Sequence, residues 1–258
     1  FRNAMTIALA LVFGSVIGSF LNVCIYRIPQ NIAIARPRSY CPKCSNPIRA
    51  LDNIPIISFV MLKGRCRNCD KKIRLQYPAV ELLTALLTIA VVWKFDFTIL
   101  TIFYLSLVYI LITISFIDLE HMIIPDSLVF AAALLGLMAL IFNILPIGWM
   151  ESAYGALLYG GGLALAGYAG KLIYKMETMG WGDVKLALVM GLCLGWIMSI
   201  VSLVLSVLIA TFYIVLGMAA GRLTRKQMIP FGPFLALGTV ISFLWGTEIL
   251  GLYLQLVL

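Results

Sequence analysis

The chain has 258 residues, 62% of them hydrophobic and only 12% charged, whereas an ordinary soluble domain carries about 25% charged residues. That balance excludes a soluble globular enzyme, because nearly all of the length lies in apolar runs long enough to cross a bilayer. The net charge of +8 does not call for a nucleic-acid partner, since membrane orientation and anionic headgroups account for the basic residues more simply than a basic groove would.

Eight apolar runs follow one another, at roughly 4–26, 78–94, 97–117, 127–146, 152–174, 184–197, 198–221 and 231–256, each a candidate span by length and composition. The first has no short cleavable core ending in an A-x-A-like site and stops at Tyr26-Arg27-Ile28-Pro29, so it reads as a retained span. The second and sixth are short, and the sixth is the weakest of the eight. The expected fold is therefore an all-α polytopic bundle of about eight transmembrane helices. Residues 1–27 form the first membrane segment, 28–77 a polar loop, and 78–258 the remaining bundle.

Basic residues orient this bundle. With the amino terminus outside, the inside loops hold 17 Lys/Arg and the outside ones 2, Arg2 and Lys94. Such a split predicts a cytoplasmic polar loop.

Within that loop, CPKC (Cys41, Cys44) and CRNC (Cys66, Cys69) are spaced C-x2-C-x21-C-x2-C. Two such thiolate pairs complete a closed tetrahedral Zn²⁺ site, and a reducing cytoplasm argues against two disulfides. The zinc is expected to be structural. Cys24 and Cys193 lie in apolar runs and read as core residues.

The acids fall at one membrane depth. Asp118, Glu120 and Asp126 lie in FIDLEHMIIPD, between the third and fourth runs, and Asp183 opens the sixth in GWGDVK. Ionisable groups set against lipid-facing helices are costly and point to function. Two close carboxylates share a proton, so that one can take a proton from water: the chemistry of aspartic proteases. Asp118 and Asp183 are the candidate pair. Gly180 and Gly182 allow positive φ and a close backbone approach, leaving room for an extended peptide. Asp126 reads first as a helix cap. Glu120 and His121 are either solvated or supporting, Lys185 either pairs with an acid or marks the inside face, and Glu177 faces water. Gly160-Gly161-Gly162, with Ala166 and Gly170, and Gly14-x-x-x-Gly18 read as helix-packing faces.

Several motifs then occur in the order found in one family. Gly18-Ser-Phe-Leu-Asn-Val23, Tyr26 to Pro29, CPKC, Asp52-Asn53-Ile54-Pro55, GRCRNC, Tyr77-Pro78-Ala-Val-Glu81, Ile117-Asp118 through Pro125-Asp126, Gly180 to Lys185 and Ile229 to Phe234 resemble the bacterial type IV prepilin peptidases, which are GxGD membrane aspartyl proteases. The resemblance implies an inner-membrane enzyme that removes the leader of prepilins and pseudopilins at the cytoplasmic face, with Asp118 and Asp183 as its catalytic pair. It also implies methylation of the new amino terminus by S-adenosylmethionine, an activity the family associates with the cysteine loop. No glycine fingerprint locates a site for that donor. The competing reading is a proton- or cation-coupled transporter, which would place its acids near the midplane and show inverted repeats.

Overall fold

The computed structural model describes residues 4–35, 39–175, 179–224 and 227–257. Its main helices are α1 (Ala4–Arg27), the short α2 (Ile57–Met61), α3 (Gln76–Phe95), α4 (Ile99–His121), α5 (Asp126–Ile141), α6 (Trp149–Tyr174), α7 (Trp181–Ala219) and α8 (Gly232–Val257). Among the described residues the only β pairing is a pair of isolated bridges. Among the described residues six helices are long and apolar enough to cross a membrane, and α5 is a shorter apolar helix. The protein is an all-α membrane protein. It divides into two compact units, Phe1–Thr113 and Ile114–Leu258.

In the first unit α1 and α3 pack antiparallel at close range. A Cβ on Gly14 would lie 2.6 Å from Thr88 Oγ1 and 2.7 Å from Ala85 Cα, and one on Gly18 would lie 2.7 Å from Glu81 Cα. These glycines let two helix backbones approach, which is the packing role expected of Gly14-x-x-x-Gly18. Further along, Asn22 Nδ2 donates to the Tyr77 carbonyl at 3.0 Å, so a buried polar side chain is satisfied where the helices meet the loop. Cys24 is buried in this core.

The second unit is built around α7. A straight helix of its 39 residues would run about 58 Å, nearly twice the hydrocarbon thickness of about 30 Å. The chain reverses instead. Gly195 has φ 73° and ψ 172°, a conformation essentially reserved for glycine, and the two arms on either side return along α6. The Gly160 backbone abuts Leu188 of the first arm, while the hydroxyl of neighbouring Tyr159 meets Ser202 Oγ of the second arm at 2.9 Å. A straight helix would hold residues 188 and 202 about 21 Å apart. Thus the two apolar runs read at 184–197 and 198–221 are two arms of a helical hairpin whose turn is Gly195. The second arm then pairs with α8: Ser202 Oγ lies 3.3 Å from Thr239 Oγ1, and Ser242 Oγ donates to the Met198 carbonyl at 2.8 Å.

The glycine-rich face of α6 differs from the sequence expectation in its centre. Gly160 is in tight contact, but added Cβ atoms on Gly161 and Gly162 would meet nothing nearer than 3.9 Å. The closest approach is at Gly155, where a Cβ would lie 2.4 Å from the Gly191 carbonyl oxygen. The hairpin turn brings the backbone at Gly191 and Gly195 onto α6 at this point, so the packing face is set by where the turn falls. Cys193, beside it, is buried.

Candidate functional site

The cysteine loop consists of two copies of one turn, offset by 25 positions. In the first, Cys41 N–H donates to the Asn46 carbonyl and Ser45 N–H to the Cys41 carbonyl; in the second, Cys66 and Asp70 make the same bonds to Lys71 and Cys66. Ser45 and Asp70 both take a left-handed φ, 58° and 54°, and matching bridges join Tyr40 to Pro47 and Arg65 to Lys72. Each turn aims two thiols inward, and the four Sγ atoms all lie within 4.8 Å of one another. Cys41 and Cys69 Sγ are 4.0 Å apart, close to the edge of about 3.8 Å that Zn–S bonds of about 2.3 Å give a tetrahedron. The donor set and its spacing therefore fit a tetrahedral metal ion. Backbone N–H groups of Cys69 and Asn68 pull the Cys66 thiol down to about 7, whereas Cys44, despite the Asn46 amide, is pushed up to about 11 by desolvation and the neighbouring thiols; the four sulfurs share their protons, and a metal would take the protons' place. Arg67 clips the loop through a two-pronged contact with Asp52, at 2.7 and 2.8 Å. That contact holds the Asp52 carboxyl below its usual range.

Beneath the turns lies a cavity of about 300 Å³, bounded by the cysteine loop and by the facing ends of α1 and α3. Glu81 of α3 reaches its floor. This side chain is 8% exposed, and its Oε2 accepts from the Ile56 N–H at 2.7 Å. Ile56 has φ 62° and ψ −50° and centres a tight turn closed by Ile57 N–H to the Pro55 carbonyl. A β-branched residue in that conformation is strained, and the Glu81 contact holds it there.

The acids of the second unit separate into two groups. Asp118, near the end of α4, is buried. Its Oδ2 accepts from the Gly232 N–H at 3.0 Å, the first residue of α8, so a free amide at a helix start is spent on a carboxylate. Asp183 lies in the first turn of α7, within electrostatic range of Asp118. Its Oδ2 lies toward Gly180, whereas its Oδ1 is buried with no hydrogen-bond partner among the described residues. A buried, unpaired carboxylate oxygen costs about 1–3 kcal/mol, and such groups concentrate where chemistry requires them.

The glycines do not use the positive φ expected of them. Gly180 is the extended residue capping α7, at φ −74°, and Gly182 lies inside the helix. Both serve close packing: a Cβ on Gly180 would be 3.1 Å from Asp183 Oδ2, and one on Gly182 would be 3.0 Å from Ile124 Cβ. Ile124 also abuts Gly232, so one side chain lies beside both the start of α7, which carries Asp183, and the start of α8, whose amide holds Asp118. Asp126 begins α5 but does not cap it, Pro125 being the capping residue. It pairs with Lys185 at 2.9 Å in the open, an exposed contact worth about 0–1 kcal/mol. Glu120 and His121 are exposed, and Glu177 lies outside the described residues. Gly232 is the site residue that sequence reasoning left without a role, although Gly232-Pro233 marked a helix start.

Comparison with known proteins agrees in the order of these features. Residues 12–95 match the bacterial peptidase A24 N-terminal domain, and residues 105–215 match the type IV leader peptidase family. Three relatives carry the name prepilin leader peptidase/N-methyltransferase: one from Aeromonas salmonicida (strain A449), 36% identical over 97% of this chain and 94% of its own; one from Legionella pneumophila, 33% identical over 94% and 92%; and one from Pseudomonas aeruginosa, 35% identical over 95% and 92%. No solved structure matches the chain significantly. The chain belongs to the type IV leader peptidase family.

Proposed function

We propose that the protein is an inner-membrane aspartic endopeptidase that removes the leader of prepilins or pseudopilins and then methylates the exposed amino terminus. The observation that carries the peptidase is the Asp118 and Asp183 pair, with one tethered carboxylate and one open, buried oxygen. Neighbouring carboxyls do not both ionise readily, so one retains a proton while the other accepts one from water. We assign the water to Asp183 Oδ1, the oxygen with unshared acceptor capacity. Asp118, fixed by the Gly232 amide, completes the pair that stabilises the tetrahedral intermediate and returns a proton to the leaving amine. Gly180, Gly182 and Ile124 shape the approach to this pair, and the Asp126–Lys185 contact ties the start of α5 to the start of α7 beside it. The excess of Lys/Arg in the inside loops supports a cytoplasmic placement of the pair and of the cysteine loop, with the amino terminus outside.

In the cysteine loop, Cys41, Cys44, Cys66 and Cys69 would hold a structural Zn²⁺, fixing the two turns against one another. S-adenosylmethionine, when bound, supplies an electrophilic methyl group for the new terminal amine. The transporter reading has no feature in its favour, since the acids sit at helix ends and no inverted repeat is evident. The reading is tested by incubating the purified protein with a full-length prepilin and S-adenosylmethionine, then weighing the product. Loss of the leader together with a gain of one methyl group is expected. An intact prepilin would overturn the peptidase, and a leaderless but unmethylated product would overturn the transferase.

A further inference from the structure

The loop between α1 and α3 carries an apolar surface that none of the described residues covers. It lies on α2, which has two faces. Ser58, Phe59 and Leu62 turn toward the cavity, with the Phe59 ring against Gly64. Ile57, Val60 and Met61 lie on the opposite side, at the i, i+3, i+4 spacing of one helix face, and are 56%, 67% and 77% exposed. The single turn Ala50–Asn53, which contacts α2, adds Leu51, and Leu75 stands exposed just before α3. Scattered apolar side chains are ordinary on a surface, but a group sharing one face marks a site of interaction.

The position of α2 identifies what covers that face. The 20 residues of α3 make about 30 Å of helix, the thickness of the hydrocarbon layer, so Gln76 lies near the boundary with the headgroups. Glu81 is little more than one turn further in, and helical side chains point back toward the helix start. Its bond to the Ile56 amide, at 2.7 Å, therefore fixes the residue before α2 at the level of the first turns of α3. Interfacial helices lay their apolar faces in this zone, about 5–10 Å into the boundary between headgroups and acyl chains. Charge agrees with the placement. Arg49 and Lys63, both exposed, bracket the segment, and the one acid between them, Asp52, is engaged by Arg67. Anionic headgroups complement that pattern. We infer that α2 is an interfacial helix whose Ile57, Val60 and Met61 side chains are seated in the lipid of the bilayer that α1 and α3 cross. The cysteine loop then has a third hold on the membrane, and the strained turn at Ile56 is the joint that sets the depth of α2.

The test uses the full chain reconstituted in vesicles of phosphatidylethanolamine and phosphatidylglycerol, doped with a phospholipid that carries a diazirine on its acyl chain. Irradiation, digestion and mass spectrometry then show which side chains gain lipid. Label is expected on Ile57, Val60 and Met61 as well as on α1 and α3, and not on Phe59 of the same short helix. The double substitution Val60→Glu with Met61→Glu keeps helix propensity but sets charge against lipid. It should lower the label on residues 57–62 by about tenfold or more and leave that on α1 and α3 unchanged. Label on α1 and α3 of the parent chain with none on residues 57–62 would overturn the proposal and leave the face to a second copy or another protein. Label on Phe59 equal to that on Met61 would overturn it as well, because α2 would then have no lipid side. Undiminished label in the double variant would do the same, since the apolar face would not be what seats α2 in lipid.

Discussion

Asp118 and Asp183 have the same side chain and different surroundings. Asp118 is held by an amide of α8, so the position of its carboxylate depends on a residue with no side chain. Placing a methyl group on Gly232 would set a carbon 2.8 Å from Asp118 Oδ2, well inside contact distance, and the carboxylate would have to swing away. Gly232→Ala should therefore lower leader cleavage by about a hundredfold, as misplacement of a reacting group by an ångström does. Rates on a purified prepilin check this, and an unchanged rate would remove the amide from the mechanism. The acids themselves were legible in the sequence, because a carboxylate beside an apolar helix has no cheap structural explanation. Gly232 was not, since nothing in a glycine's chemistry announces which distant side chain its amide will meet.

At the scale of the element, the hairpin of α7 depends on Gly195. With φ 73° and ψ 172° any side chain is strained there, and Gly195→Ala should cost about 1–3 kcal/mol, read as a lower melting temperature in detergent. The face of α6 offers a paired test. Gly155→Ala would force a carbon toward the Gly191 carbonyl at 2.4 Å, whereas at Gly161 the nearest atom is 3.9 Å away. The first change should destabilise, and the second should be neutral or stabilise by up to about 1 kcal/mol through helix propensity. Helices were legible because an apolar run of spanning length has few alternatives in lipid. Their pairing was less so: a run of small residues such as Gly160 to Gly162 shows that helices can approach, not where. The doubled turn of the cysteine loop was likewise hidden, because its repeat lies in backbone hydrogen bonds and φ angles.

At the scale of the whole molecule, one chain carries both the proposed metal-binding loop and the proposed aspartate pair. The loop's metal should be measurable as one zinc per chain. Its retention should fall as the pH is taken into the acid range. The sign follows from the ligands: zinc binds only the thiolate, and protons compete with the metal for all four sulfurs as pH falls. Elemental analysis after dialysis at graded pH checks this, and a preparation with no zinc at neutral pH would argue against a four-thiolate site. The most direct test of the central claim is leader cleavage by Asp118→Asn and Asp183→Asn, each purified from the membrane and shown by circular dichroism to keep its helices. With full-length prepilin, and product masses read over time, both variants should leave the leader attached. Cleavage by either at the parent rate would contradict the account.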